Sequence, residues 1–239
     1  MSRAWEEYHR IARDEGLAPA LDALCEDMLP GLLPCGPHGH AVVTPRTLLK
    51  AGRAWCAGRP AELPPGGPEV LGSAELPGGE VVMVRQEIAA TAEYGPPDRR
   101  AGWSLGLVWL RLGLSEALRE AVVAHLGSRT AGPEGTPLLQ QQLVKVAVAD
   151  ALVEHLEVRA VLTGVPEGQL SPAALEDLQR RLTDADRGQV RLLGASGYLA
   201  DGPGQVAYVS EVLAEAYAMA PKKEETAAAQ AGVAGGRCW

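Results

Sequence analysis

Apolar positions near the start of the chain recur with the period of an α-helix. One helical face carries four of them, at Leu17, Leu21, Leu24 and Met28. Gly16, with a proline three residues after it, favours a break in the chain. Residues 1–30 are therefore predicted to form two helices.

The pattern changes after residue 30. Residues 30–68 are rich in Pro and Gly and predict loops, with one short helix around Pro45–Ala57. Beyond them, "VLGSAEL" and "EVVMVR" flank the turn "PGG", which predicts a β-hairpin of Val70–Leu76 and Glu80–Arg85. No other segment carries a comparable sheet signal.

Four long helical patterns fill most of the remaining chain. The first, over residues 102–127, is apolar on several faces and suits a helix buried among others. Ser171 followed by proline predicts the capped start of the third helix. Short connections favour an antiparallel bundle, whose other helices are predicted over 137–163, 172–193 and 204–220.

The expected fold class is mainly α: a C-terminal antiparallel four-helix bundle preceded by N-terminal helices and a small β-hairpin. At 239 residues with 46% hydrophobic content, the chain can bury a substantial core. The expected divisions are an N-terminal helical segment over 1–60, a linker with the hairpin over 61–100, the bundle over 101–220, and a low-complexity, disordered tail over 221–239.

Charge and cysteine usage exclude some classes of partner and compartment. The formal net charge of −8 disfavours nucleic acid, because binding to phosphates requires a basic face. No apolar run approaches the roughly 20 residues of a membrane span, and the first residues lack the apolar segment of a signal peptide. The four cysteines have no paired spacing, so a reduced, cytoplasmic protein is expected.

Two connections within the predicted bundle carry motifs. In "HLGSRTAGPEGTPLLQQQLVKVAVADAL" an arginine precedes a glycine turn, and the matching positions are Arg129, Pro137-Leu138, Gln142, Val144 and Ala149-Asp150. The stretch "LLGASGYLADGP" resembles a Gly-Gly-x-Gly-Tyr loop. With the closing helix, these motifs make residues 102–219 resemble the C-terminal helical domain of acyl-CoA dehydrogenases.

The resemblance implies FAD chemistry. In that family FAD lies between the bundle and a β-domain and reaches into a neighbouring subunit. A glutamate removes the α-proton of an acyl thioester while a hydride leaves the β-carbon for the flavin. An arginine and the glycine loop hold the FAD phosphates. The residues that the resemblance assigns to FAD here are Arg129, Gln142, Arg191, Gly194, Ala195 and Gly197.

The chain departs from the family pattern in both connections. Ala195 stands at the second glycine of the loop, where a methyl group hinders a close backbone approach. Arg191 replaces the glutamine before the loop, and its guanidinium is itself a candidate phosphate ligand. The turn after Arg129 lacks the family's aromatic residue and is two residues longer.

The family's catalytic base is also missing. Ala218, directly after Tyr217, stands where the family has glutamate after an aromatic residue, and the alternative base position aligns near Trp103. Glu215, on the same predicted helix as Ala218, is the candidate substitute. The β-domain, which normally covers the flavin ring, is reduced to something like one hairpin.

Two short motifs have competing interpretations. "GWSLG" matches the letters of a nucleophile elbow around Ser104, but a Pro-rich loop precedes it and the downstream histidines, His125 and His155, lie on long helices, so a helix-capping serine is favoured. "CGPHGH" groups Cys35 with His38 and His40. A zinc site would need a fourth ligand, so a Gly-Pro turn with exposed histidines is favoured.

Several single residues also allow a structural interpretation. Arg129 can equally be a charge at a helix C-terminus. Asp150 and Gln142 are expected to be polar residues bonded within the bundle, and Trp103 and Trp109 are expected in its core.

Three functions stay open at this point. The first is a reduced dehydrogenase subunit in a homo- or hetero-oligomer, which completes a fuller partner's FAD site for an acyl group on CoA or a carrier protein. It is favoured because the retained residues are those that the family directs toward a neighbour's flavin, and specialised, biosynthetic metabolism is its expected setting. The second is a flavin-free enzyme that uses the vacated cleft to cyclise or isomerise an acyl or polyketide substrate. The third is a non-catalytic scaffold.

Overall fold

The computed structural model describes residues 2–56, 59–87, 97–132, 135–166, 168–200 and 202–218. The predicted disordered tail, 221–239, lies outside these residues. The helices are α1 (Ser2–Asp14), α2 (Leu17–Met28), α3 (Pro45–Lys50), α4 (Pro97–Ser128), α5 (Gln142–Gly164), α6 (Pro172–Leu193) and α7 (Pro203–Tyr217). The strands are β1 (Leu32–Cys35), β2 (His40–Val43), β3 (Arg53–Cys56), β4 (Arg59–Ala61), β5 (Glu69–Leu76), β6 (Gly79–Arg85), β7 (Thr130–Ala131) and β8 (Thr136–Pro137).

Helix α4 is the central element of a mainly α-helical protein. It packs against α1, α5, α6 and α7. The four predicted helices of the bundle are present as α4 to α7, and α1 and α2 are separated at Gly16 as predicted. The predicted cap of α6 is confirmed, because Ser171 Oγ accepts a hydrogen bond from Ala174 N at 3.2 Å.

The strands form two three-stranded sheets and one short ladder. In the first sheet β3 lies between β1, its parallel partner, and β4, its antiparallel partner. In the second sheet β6 lies between β2 and β5, both antiparallel to it, and β7 pairs with β8. The predicted hairpin is β5–β6, and its observed limits lie within one residue of the predicted ones.

The prediction that the hairpin carries the only clear sheet signal was wrong. Strands β1 to β4 lie in and around the stretch predicted as loops, and the helix expected around Pro45–Ala57 ends at Lys50, before β3. Each of these four strands has only three or four residues, and β1 and β2 find their partners far along the chain. Such short strands leave no detectable period in the sequence. The β-part is therefore larger than a single hairpin.

Two apolar cores bind the sheets to each other and to the helices. The core shared by the two sheets consists of Leu33, Cys35, Ala41, Val43, Ala54, Cys56, Val82 and Val84. A larger core joins α1, α2, α4 and α7 to the strands and includes Trp55 and Trp103. Trp103 and Trp109 are both buried, as predicted. The sheets consequently pack directly against α4 and the end of α7.

Candidate functional site

The two positions at which the resemblance places a catalytic base lie side by side. Trp103 is near the start of α4 and Tyr217 ends α7, yet their ring centroids are 5.4 Å apart with an interplanar angle of 65°. Ala218 follows Tyr217 directly. The fold therefore brings both base positions to one place, and neither position carries a carboxylate.

Aromatic side chains close the junction between the sheets and the bundle at this place. Trp55 of β3 lies 6.2 Å from Trp103, centroid to centroid, and Trp55, Trp103 and Tyr217 are all buried. The Tyr217 hydroxyl donates a hydrogen bond to the Pro34 carbonyl at 3.0 Å. Burial raises the pKa of Tyr217, so the hydroxyl stays protonated at neutral pH.

The turn between β1 and β2 also packs tightly on the end of α7. A methyl group added at Gly36 would lie 1.7 Å from the carbonyl oxygen of Ala216. Only glycine permits this approach of two backbones. The side of the bundle that faces the sheets is thus filled by protein atoms at the base positions.

On its other side, the same region borders a cleft of about 410 Å³ between the start of α4, α6 and the end of α7. Glu215 and Ala218 line one end of it. Its apolar walls are formed by Ala101, Leu107, Pro172, Leu175 and Ala214. The Glu215 carboxylate therefore lies at the cleft, and its side chain is exposed to solvent.

Ser104 also lines the cleft, but it does not cap a helix. The prediction of a cap was wrong because α4 begins at Pro97, within the Pro-rich stretch predicted as a loop, so Ser104 lies within the helix. Its surroundings contain no nucleophile elbow, since the residue is helical on both sides.

A buried arginine lies behind the polar wall of the cleft. Arg111 of α4 has an exposed fraction of 0% and donates hydrogen bonds to Ser210 Oγ at 2.9 Å and to Thr183 Oγ1 at 2.8 Å. It also donates to the Gln179 carbonyl at 2.9 Å and to Gln179 Oε1 at 2.6 Å. Burial lowers the pKa of Arg111, while the carboxylates of Asp186 and Glu211 oppose the shift. The guanidinium remains charged, because arginine keeps its proton in proteins.

The charged side chains at the rim of the cleft pair largely with one another. Arg187 contacts Glu211 across α6 and α7, and Arg180 bonds Asp177 and Asp184 on its own helix. These exposed pairs add little stability. Their effect is to leave the rim without a strong excess of either charge.

The residues that the resemblance assigns to FAD gather at the opposite end of the bundle. Arg129 follows the last residue of α4, Gln142 begins α5, and Arg191 lies in the last turn of α6. All three side chains are exposed, as is Ala195. The ends of these helices are joined, because Arg129 O accepts from Leu138 N at 2.7 Å and Ser196 Oγ lies 3.4 Å from His125 Nε2.

The glycine loop is folded as a 3₁₀ turn over Gly194–Tyr198. Gly194 has a φ of 57°, which glycine adopts without strain. Gly197 serves packing, since a methyl group there would lie 2.9 Å from the Val190 carbonyl, and one at Gly204 would lie 1.7 Å from the Gly197 carbonyl. The two glycines that hold the loop between α6 and α7 are therefore required by the fold itself.

A second cavity, of about 570 Å³, lies beside this loop. Exposed Tyr198 and Tyr208 form part of its wall, together with Arg187 and Arg191. Glu211, which pairs with Arg187, also lies in its wall, so Arg191 is the basic side chain of this cavity that pairs with no carboxylate of the described residues.

Sequence reasoning missed a buried polar cluster in the bundle. Ser115 of α4 donates to an Asp186 carboxylate oxygen of α6 and lies 2.7 Å from His155 Nε2 of α5. Burial lowers the pKa of His155 to about 4 and raises that of Asp186 to about 6. All three residues are buried, and the serine sits between the other two, which is not the order of a catalytic triad, so the arrangement is structural. Its only sequence signal is one polar residue on each of three largely apolar faces.

The structure also shows where the residues of two other sequence predictions lie. Asp150 and Gln142 are exposed rather than bonded within the bundle, because the face of α5 that carries them points to solvent. Cys35 belongs to the core between the sheets, and of the two histidines predicted to be exposed, His38 is exposed whereas His40 is half-buried at the start of β2. Among the described residues no cluster of His, Cys, Asp and Glu could hold a metal ion, and none of the described helices is long and apolar enough to cross a membrane.

No protein-family model matches the chain, and no curated protein sequence matches it. Solved structures do. A variant of the Tcur3481-Tcur3483 steroid ACAD superposes with a TM-score of 0.51 and 16% identity, covering 87% of this chain and 70% of that one. The chain has an acyl-CoA dehydrogenase-like fold.

Two further acyl-CoA dehydrogenase structures are more distant. A putative acyl-CoA dehydrogenase from Mycobacterium smegmatis matches with a TM-score of 0.47 and 15% identity, over 70% of this chain and 52% of that one. The ChsE4-ChsE5 complex from Mycobacterium tuberculosis matches with a TM-score of 0.44 and 16% identity, over 70% and 52%. The chain thus spans 70% of the length of the first relative and about half the length of these two.

FAD is the cofactor that the sequence resemblance implies, and the residues present fit only part of it. Exposed Arg129 and Arg191 are suited to phosphate, which arginine binds through a charge-assisted fork. The ring of the cofactor finds no comparable fit, because Trp55, Trp103 and Tyr217 close the junction between the sheets and the bundle. The fit is therefore to the phosphate end.

Proposed function

We propose that this acyl-CoA dehydrogenase-like chain is a reduced subunit that completes the FAD site of a fuller dehydrogenase partner. Its contribution is the end of the bundle with Arg129, Gln142, Arg191 and the 194–198 loop. The partner supplies the ring site and the catalytic base. The reaction of the complex is the α,β-dehydrogenation of an acyl group carried on CoA or on a carrier protein, in specialised metabolism.

One observation carries the proposal: the two halves of the family's site are treated differently in this chain. The side chains that the resemblance assigns to the FAD phosphates are exposed and lie at helix ends. The positions of the base carry Trp103 and Ala218 and lie against buried aromatic side chains. At the phosphate end Arg129 and Gln142 match the family pattern and Arg191 adds a second guanidinium, whereas both base positions lack a carboxylate.

The relatives support an assembly of two different chains. The structure with the highest TM-score of those described above carries a paired name, Tcur3481-Tcur3483. Bound FAD would accept the hydride from the substrate's β-carbon. The residues of this chain would act on the phosphates alone: Arg129 and Arg191 would neutralise charge, and Gln142 would donate an amide N–H.

The proposal is tested with the chain co-expressed with a full-length acyl-CoA dehydrogenase encoded beside its gene. In the purified complex, the double variant Arg129→Ala, Arg191→Ala is expected to bind FAD at least about tenfold more weakly, since each charge-assisted hydrogen bond contributes about 1.5–3 kcal/mol. FAD dissociation is followed by the visible flavin absorbance of the retained protein.

The matched control is Arg53→Ala, Arg85→Ala, which removes two exposed arginines from the sheets. This control is expected to retain FAD as the unmodified complex does. Equal FAD retention by both double variants, or failure of the chain to form a complex, would refute the proposal.

A second function is favoured by the cleft beside Ala218. It is open within this single chain and is lined by Glu215 and Ser104 as well as by apolar walls. A flavin-free enzyme for the cyclisation or isomerisation of an acyl substrate would use such a cleft. Turnover of a carrier-bound acyl substrate by the colourless chain alone, abolished in Glu215→Gln, would support this function over the first.

A further inference from the structure

We infer that the cleft between α4, α6 and α7 is a binding site for a neutral, apolar molecule that presents a carbonyl oxygen to Gln179 and Thr183. The inference goes beyond the proposed subunit role, because it needs neither flavin nor a partner, and beyond the second function, because it names the recognised group and requires no reaction in the cleft. It follows from the buried arginine behind the cleft.

Arg111 fixes which atoms of its neighbours are left for a ligand. A guanidinium has hydrogen-bond donors and no acceptor. It therefore binds the oxygen of the Gln179 amide, at 2.6 Å, and the oxygen of the Thr183 hydroxyl, at 2.8 Å. The contact also fixes which end of the amide faces Arg111, because the amide nitrogen is a donor and cannot accept a hydrogen bond from a guanidinium.

The hydrogen-bonding groups of the Gln179 and Thr183 side chains that Arg111 does not use are donors. Gln179 and Thr183 are half-buried and line the cleft. With its oxygen held by Arg111, Gln179 presents its amide N–H groups, and Thr183 has its hydroxyl hydrogen to donate. This pair of donors is thus matched to an oxygen acceptor and offers no acceptor to an ammonium group.

Arg111 also makes this wall rigid. It is buried within the bundle and anchored from the far side by Ser210 Oγ of α7 at 2.9 Å. A donor held in place by a charged partner loses little conformational freedom when a ligand binds. The site is therefore organised before the ligand arrives.

The rest of the cleft suits an apolar body. Leu107, Leu175, Ala214, Ala101 and Pro172 form its walls. A volume of about 410 Å³ lies in the range of small-molecule sites. Arg187 and Arg180 are paired with carboxylates at the rim, and the other charged residues of the lining, Arg100, Glu176 and Glu215, have partners of their own. No charge is therefore needed on the ligand.

Two probes of equal chain length test the inference on the purified chain by isothermal titration calorimetry. The acceptor-only probe is 2-decanone and the donor-only probe is decylammonium. We expect 2-decanone to bind more tightly to the unmodified chain. Competition with decanoyl-CoA distinguishes two kinds of carbonyl ligand. If decanoyl-CoA displaces the ketone, the site accepts a thioester carbonyl; if it does not, the site is specific for a free ketone.

The decisive variant is Gln179→Glu. It keeps an oxygen for Arg111, so the buried guanidinium stays paired, but it replaces the amide donors with a carboxylate acceptor. We expect the ratio of the ketone's affinity to the ammonium's affinity to fall about tenfold or more, from loss of one hydrogen bond and repulsion of the carbonyl. Thr183→Val is expected to weaken ketone binding about threefold to fivefold.

The matched control is Gln140→Glu, the same change at an exposed position outside the cleft. It should leave both affinities unchanged. Unchanged thermal unfolding of Gln179→Glu shows that any loss of binding is local. Binding of the ketone that is equal in the unmodified chain and in Gln179→Glu, or absence of ketone binding to the unmodified chain, would overturn the inference.

Discussion

Replacing Gly113 by alanine separates two helices whose contact holds the N-terminal part on the bundle. A methyl group at this position in α4 would lie 2.3 Å from the His9 carbonyl oxygen of α1, and 3.1 Å from both Ala12 Cβ and Arg13 N. Ordinary contacts of this kind begin at 3.4 Å. The backbone of α1 would therefore have to retreat by about 1 Å, because backbone atoms cannot rotate away as a side chain does.

The expected cost is set by two opposing effects. Overpacking costs about 1–3 kcal/mol, and retreat of α1 also lengthens the contact between His9 Nε2 and Glu116 Oε2, now 3.0 Å. Alanine in a helix interior returns up to about 1 kcal/mol. We expect a net loss of about 2 kcal/mol, which lowers the unfolding temperature of a chain of this size by roughly 4–8 °C.

The matched control is Gly188→Ala in α6. It makes the same chemical change within a helix, but nothing lies within 4 Å of the added methyl group. We expect a gain of about 0.5–1 kcal/mol and a rise of roughly 1–4 °C. Thermal unfolding followed by circular dichroism measures both variants. An unfolding temperature for Gly113→Ala equal to or above that of the unmodified chain would refute the proposed close packing of α1 on α4.

Three further predictions follow from buried polar groups. Burial raises the pKa of Glu116, but hydrogen bonds and charges from His9 and Arg159 outweigh burial and bring it down to about 2. Because this pKa lies below the ordinary value of 4.5, ionised Glu116 stabilises the folded state. This stabilisation, about 3 kcal/mol, is fully present above pH 4.5 and is lost as the pH falls toward 2. Urea unfolding measured over this pH range should show the loss in the unmodified chain and not in Glu116→Gln. Burial raises the pKa of Asp186 from 3.8 to about 6, so the folded state loses stability as the pH rises from 3.8 to 6. Asp186→Asn should therefore raise the unfolding temperature at pH 7 but not below pH 3.8. A lower unfolding temperature of this variant at pH 7 would show instead that the carboxylate stabilises the fold. Tyr217→Phe leaves the Pro34 carbonyl without its donor and should cost about 1–2 kcal/mol in urea unfolding, whereas Tyr208→Phe, at an exposed position, should cost almost nothing.

The long elements of this fold were predictable because each carries its own signal. Helices α1, α2 and α4 to α7 have 12 residues or more, enough for a 3.6-residue period, and the β5–β6 hairpin is closed by a local turn. Strands β1 to β4 were not predictable, because three or four residues establish no period and the partners of β1 and β2 are distant.

The residues of the candidate site also divide into those that the sequence predicts and those that it does not. The motif around Arg129 and the 194–198 loop can be read from contiguous letters. The role of Arg111 cannot be read from the sequence in this way. Its partners Gln179 and Ser210 lie 68 and 99 residues away, and no sequence pattern near Arg111 predicts them. The Ser115–Asp186 contact, across 71 residues, was missed for the same reason. Only the packing of three helices brings such residues together.

The central claim is that this chain holds the phosphate end of a partner's FAD and cannot hold the cofactor alone. The most direct measurement is the FAD content per protomer, from the visible absorbance spectrum, of the chain purified alone and of its co-purified complex with a full-length dehydrogenase. The account predicts a colourless chain and a yellow complex that loses FAD when Arg129 and Arg191 are replaced. Stoichiometric FAD in the lone chain, or a complex whose flavin is indifferent to those two arginines, would contradict it.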